Sequence, residues 1–150
     1  MMFGRRWSLA AGAIGTALAL GGFAPTLDLP GSTALEKSGW TLVTASDDTN
    51  VYMRAAAPGG GGLRRVWTAY DAGRPLKRDG FTFRSVQSLG EYDCRRRVSR
   101  VVKETYHDSP ALKGRSWRSP KFVPTPWAAP APESVGAIRM AFACRALNDI

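Results

Sequence analysis

This chain is short of the residues from which most active sites are built. It has one histidine, His107, and two cysteines, Cys94 and Cys144, in 150 residues. Two Cys and a single His do not make a zinc site, so neither a metal nor another cofactor is expected. Acid is scarce as well: 12 Asp and Glu stand against 21 Lys and Arg, a net charge of +9. No nucleophile elbow is present. His107-Asp108-Ser109 offers triad chemistry only as sequence neighbours, an arrangement from which triads are rarely assembled. Four consecutive glycines, Gly59–Gly62, are followed by neither Lys-Ser nor Lys-Thr, and the next segment has strand character. That context excludes a nucleotide-binding P-loop. The expectation is a protein that is not an enzyme.

What the chain has points to export. Arg5 and Arg6 precede a stretch, Trp7 to Ala24, that carries no charge and is rich in Ala, Leu and Gly. This is the pattern of a signal peptide over residues 1–24. Gly22-Phe23-Ala24 and Ala17-Leu18-Ala19 are the two candidate cleavage sites, and the alternative is a retained membrane anchor. The Arg pair bears a weak likeness to a twin-arginine signal. No Cys lies near the end of the apolar run, which argues against a lipid anchor. Cleavage leaves no permanent membrane span and lowers the charge to +7 by removing Arg5 and Arg6. Export also bears on the cysteines, since an even count in a small exported protein favours a disulfide over two free buried thiols.

Residues 25–38 hold two Pro with Gly and Ser and little periodicity, and are expected to form a linker ahead of one domain over 39–150. Strands are expected over 40–45, 51–53, 63–71, 81–89 and 91–102, with Gly73 to Gly80 a charged connection and Gly90 a break. In the third of these, Val66, Thr68 and Tyr70 alternate with Trp67 and Ala69. Both faces are therefore apolar and the strand is central. In the fifth, Tyr92, Cys94 and Val98 face the core. Six Pro between Pro110 and Pro132, with Trp117 and Trp127 among them, describe an irregular wrap pinned by its tryptophans. Ser134 then caps a helix running to about Leu147. One stripe of it (Ala137, Met140, Ala141, Cys144) is expected on the sheet, and a second (Val135, Ile138, Phe142) on the proline segment or a second subunit.

Arg95, Arg97, Arg100 and Lys103 make a basic strand end and are the candidate anion- or partner-binding residues. Their chemistry suits an acidic lipid headgroup or an acidic glycan. Nucleic acid is set aside, because an exported protein seldom meets it.

Several landmarks taken in order resemble the surface-adhesin protein E family of bacterial envelope proteins. They are Trp40 and Tyr52; Val66-Trp67 with Asp71; the run from Arg84 through Glu91-Tyr92-Asp93-Cys94-Arg95; Tyr106 and Gly114; Trp127; and Ser134 with a closing Cys144. The resemblance covers about 39–146. It implies an α+β fold: an antiparallel sheet of about six strands, PAS-like, with a C-terminal helix tied to it by Cys94–Cys144. It also implies a homodimer, and surface binding of host-matrix proteins such as vitronectin and laminin.

The function expected is a non-enzymatic, adhesin-like binding module of the cell envelope, periplasmic or at the surface. It would recognise a protein or polyanion through its sheet face and basic strand. The competing expectations are a periplasmic sensory domain holding a small ligand between helix and sheet, and a structural envelope protein without a soluble ligand.

Overall fold

The computed structural model describes residues 32–145. The expected signal peptide and the first half of the expected linker lie outside the described residues. In chain order the elements are α1 (Ser32–Lys37), β1 (Thr41–Ala45), β2 (Thr49–Ala55), β3 (Arg64–Arg78), β4 (Phe81–Asp93), β5 (Val98–His107), β6 (Ser116–Trp117) and α2 (Val135–Arg145). All six strands belong to one open antiparallel sheet in which each strand neighbours the next in sequence.

Alternation along β2 and β3 explains why this sheet needs a cover on each side. Residues two apart share a face, so Val66 looks one way and Ala69 the other. On the first face Met53, Val66 and Tyr92 bury themselves against Met140 and Ala143 of α2. On the second, Tyr52 and Ala69 pack with Leu35 and Trp40, and Ala111 and Leu112 close over them. α1 falls inside the expected linker. It forms there because Leu35, only 3% exposed, gives the short segment an apolar anchor.

α2 starts where its cap predicts. The Ala137 N–H donates to Ser134 Oγ at 3.2 Å. Met140 and Ala143 face the sheet, with Phe142 and Cys144 partly buried beside them. Val135 and Ile138 stay exposed, and Ile138 lines an apolar groove of about 630 Å³ between α2 and β1. From the same helix Arg139 donates to Tyr70 Oη at 2.8 Å and Tyr92 Oη at 3.2 Å. A disulfide joins Cys94 to Cys144, with Cα atoms 5.7 Å apart. It fastens the C-terminal end of α2 to the loop after β4.

Three local expectations are corrected. Gly73 to Gly80 is not a connection: β3 and β4 continue as a long hairpin that turns at Asp79 and Gly80, whose φ values are 46° and 80°. Two successive positive φ angles suit a tight hairpin turn, and Asp-Gly is the pair that tolerates them. Gly90 does not break a strand either. It lies within β4, opposite Val66, at a bulge against β5. Its lack of a side chain serves a close approach, since a Cβ there would stand 2.8 Å from the Tyr92 ring. β4 consequently runs on to Asp93, and Cys94 sits in the turn that follows instead of on the fifth strand.

The proline-rich segment is irregular but not loose. It runs along the outer edge of β5, pairing through β6, through Thr125 with Val101, and through Ala128 with Ser99. Trp117 packs against Phe81 and Tyr106 at one end.

The disulfide closes a loop of 50 residues that includes this whole segment. The chain-entropy argument then assigns it about 4 kcal/mol. Replacing both cysteines with serine is expected to lower the unfolding free energy by about that amount, read from urea denaturation of the oxidised parent and the variant. A loss under about 1 kcal/mol would show that packing alone holds α2.

Candidate functional site

The cross-strand register gathers charge and aromatic rings on the second face of the sheet. Arg54 lies opposite Trp67, Trp67 opposite Leu89, and Leu89 opposite Lys103. Directly opposed residues of antiparallel strands point to the same side. These four therefore form one row across β2, β3, β4 and β5. Arg65 stands opposite Glu91, and Glu91 opposite Arg100, which makes a second row beside the first. Arg65 and Trp67 are two apart on β3, so both rows share a face.

Each row is held by its own chemistry. In the first, Lys103 Nζ lies 5.6 Å from the Trp67 ring centre, and the Arg54 guanidinium 4.6 Å from that of Trp40. In the second, the Glu91 carboxylate is almost fully buried. Arg65 donates to Oε1 at 2.7 and 3.0 Å, and Arg100 to Oε2 at 2.8 and 2.9 Å. Arg100 also stacks 4.7 Å from the Trp127 ring centre, which the proline-rich segment places there. Cation–ring contacts of this kind are worth about 0.5–1 kcal/mol at exposed sites. They leave the outward side of each cation available.

Burial pushes the Glu91 carboxyl up, but the hydrogen bonds and charges of Arg65 and Arg100 outweigh it, so its pKa falls below the usual value. Glu91 is therefore ionised and offsets one of its two arginines. With the side chains of Arg65 and Arg100 still 44% and 34% exposed, the row keeps a net positive face.

The four residues singled out from sequence are not brought together as one strand end. Arg100 and Lys103 sit on β5 within the two rows. Arg95 and Arg97 fall in the turn between β4 and β5 and are exposed. Asp93 organises that turn, its Oδ1 accepting the Arg95 and Arg96 N–H groups at 3.1 and 3.0 Å. Cys94 and Cys144 are bridged. Arg54 and Arg65 escaped sequence reasoning, and Glu91, Trp40 and Trp67 entered it as landmarks of the chain without a place in the site. Only Arg65-Val66-Trp67, a cation and a ring at strand spacing, signalled a shared face in advance.

The His107-Asp108-Ser109 run does not form a relay. Ser109 Oγ donates to Asp108 at 3.0 Å, while Asp108 also binds Arg115 at 2.9 Å. Neither ring nitrogen of His107 has a hydrogen-bond partner among the described residues, and burial of the ring lowers its pKa. No helix of the described residues is long and apolar enough to cross a membrane.

Residues 40–145 match the family described as surface-adhesin protein E. No curated protein matches the chain.

The depressed Glu91 pKa has a stability consequence with a definite sign. The contribution is fully present above the ordinary Glu range and is lost as pH falls through the lower folded value. Glu91→Gln is expected to cost about 2–3 kcal/mol at pH 7, the scale of hydrogen bonds to charged groups. The gap between parent and variant should close as pH drops below about 4. Thermal melts of both proteins across pH 2–7 check this, and a gap that does not change with pH would count against the ion pairs.

Proposed function

We propose a function from one premise: the chain belongs to the surface-adhesin protein E family. Membership makes it an adhesin-like protein, exported or borne at the surface. On that premise it is a non-enzymatic binding module, and its ligand is an acidic glycan or another polyanion of the envelope or host matrix. The polyanion lies across the two rows on the second sheet face.

The observation that carries this reading is the pair of rows themselves. Arg54, Lys103, Arg65 and Arg100 are spaced across four neighbouring strands, and three of them rest on tryptophan rings. Strands lie about 4.8 Å apart. The cations of the two rows stand three and two strands apart, roughly 14 and 10 Å, and cations so spaced meet a chain with repeating negative groups better than a single small ion does. The rings hold long side chains that would otherwise lose rotamer freedom on binding. Met140 and Ala143 pack directly onto Met53, Val66 and Tyr92. That contact fills the middle of the seam between helix and sheet, and leaves space for a small ligand only in the open grooves beside β1.

The same reading takes a homodimer through β1 and α2. β1 has no strand on its outer side among the described residues, and Leu42, Val135 and Ile138 expose apolar surface beside it. Ile138→Glu is expected to convert a dimer to a monomer in sedimentation velocity. A parent that is monomeric at 100 micromolar (on the order of the concentrations where weak interfaces of this kind associate) would remove the dimer.

Heparin chromatography tests the polyanion. Retention should survive physiological salt in the oxidised parent. Arg54→Ala with Lys103→Ala should elute markedly earlier, because each exposed cation lost releases fewer counterions. Arg97→Asn changes the turn instead, and should shift elution less. If the turn variant loses as much as the face variant, the sheet face is not the binding surface.

A further inference from the structure

We propose a second, separate ligand site: a hollow between the Gly59–Gly62 loop and the β4–β5 turn that takes one tetrahedral oxyanion, a phosphate or sulfate monoester group. The hollow measures about 650 Å³ and is lined by Gly61, Gly62, Arg64, Asp93, Cys94, Arg95 and Arg96. It is not part of the two rows. Arg64 lies opposite Tyr92, whose side chain is in the core under α2, whereas Arg65 faces the other way.

Three observations converge on an anion. The first is unspent charge. Arg64 and Arg95 have no carboxylate partner among the described residues. Asp93, the one acid of the hollow, is engaged by the turn N–H groups and reaches Arg96 only at 4.0 Å. Three guanidiniums thus surround a single, already committed carboxylate. Arg64 is half-buried, so its charge lacks part of its hydration as well as a partner.

The second is backbone shape. Gly61 and Gly62 both take left-handed conformations, with φ of 68° and 77°. The loop's own backbone bonds run from Gly59 N–H to Leu63 C=O and from Leu63 N–H to Gly60 C=O. Neither engages the N–H of Gly61, while the 3-10 turn over Gly60–Gly62 engages that of Gly62. A backbone N–H left open in such a turn favours an anion. A glycine run that fails as a nucleotide loop therefore still supplies a donor.

The third is access. A Cβ built on Gly60, Gly61 or Gly62 would meet nothing within 4 Å, so the loop leaves room for a ligand group to approach the backbone. The disulfide at Cys94 holds the opposite wall in place. Guanidinium forks match the paired oxygens of a phosphate or sulfate group better than a carboxylate-free hollow of lysines would.

The site is tested on the oxidised exported protein by following the Gly61 and Gly62 amide NMR signals as inorganic phosphate is added at constant ionic strength. Saturable shifts are expected, with binding weakened about tenfold in Arg64→Gln and several-fold in Arg95→Gln. The second variant changes only an exposed turn, so a folding failure of the first does not decide the matter. Arg54→Ala with Lys103→Ala should leave the titration unchanged, which separates this site from the sheet face. The source of the group is read with two competitors: vesicles containing phosphatidic acid, which present a lipid phosphate monoester, and a sulfated disaccharide. Displacement of phosphate by either one supports the site and names its source. Linear shifts, shifts matched by chloride, or a titration indifferent to Arg64→Gln would overturn it.

Discussion

Much of this molecule hangs on the bond between Cys94 and Cys144. α2 has 11 residues, and only Met140 and Ala143 of these are fully buried. A helix so short is marginal alone, and its stability must come from tertiary contact. Between β5 and α2 lies a long stretch whose only strand is the two-residue β6. The entropy of ordering that stretch opposes folding. Closing it into a covalent loop removes part of that cost from the folding step. The segment can then follow the edge of β5, and Trp127 can reach Arg100. A bond that covers the first face of the sheet thereby helps to arrange a charged row on the second.

How far this was legible in the sequence depends on whether a signal was local. The cap at Ser134 and the two-sided apolar pattern of Val66 to Tyr70 concern neighbours in the chain, and each has its counterpart in the fold; the expected helical stripe is met only at Met140 and Cys144, because Ala143 and Phe142 turn to the core while Ala137 and Ala141 line the groove. Glycine was ambiguous. Gly90 reads as a break, yet it serves the Tyr92 ring from inside a strand. Asp79-Gly80 reads as part of a charged linker, yet it is a hairpin turn because Phe81 and Phe83 continue the alternation behind it. The rows were hidden for another reason. Arg54, Trp67, Leu89 and Lys103 become neighbours only through register, and one bulge, as at Leu89 and Gly90, shifts every later pairing. Residue type named Arg100 and Lys103. Only pairing separates them from Arg95 and Arg97.

The charge balance gains meaning once five of the twelve acids are placed. Glu91 is held by Arg65 and Arg100, Asp108 by Arg115, and Glu104 accepts from Tyr106 and sits near Arg78. Asp93 shapes a turn, while Asp71 is buried, accepts the Ala111 N–H and has its pKa raised by that burial. These carboxylates work inside the architecture and are only partly available to neutralise the surface. The basic residues outnumber them and remain solvated around the rim. The positive excess is therefore a property of the outer surface more than of the whole molecule, which is where it can steer an acidic partner.

The two edges of the sheet are treated differently, and the contrast bears on assembly. A free strand edge is a template for another strand, and proteins commonly cover or charge it. β5 is covered by a segment rich in proline, which cannot extend a ladder further. Among the described residues β1 has neither defence: Thr41 to Ala45 contains no charge and no proline, and the exposed Ile138 stands above it on α2. Loss of the cover on β5 would expose a second edge and remove Trp127 from Arg100 together. Retaining one open edge beside an apolar groove, while the other is closed by a covalently restrained strap, gives the sheet a single direction in which to grow. A dimer built that way would place the charged faces of both copies on the same side of one continuous sheet, because a two-fold axis normal to the sheet preserves its faces. The surface offered to a polyanion would then double in length without any new charged residue.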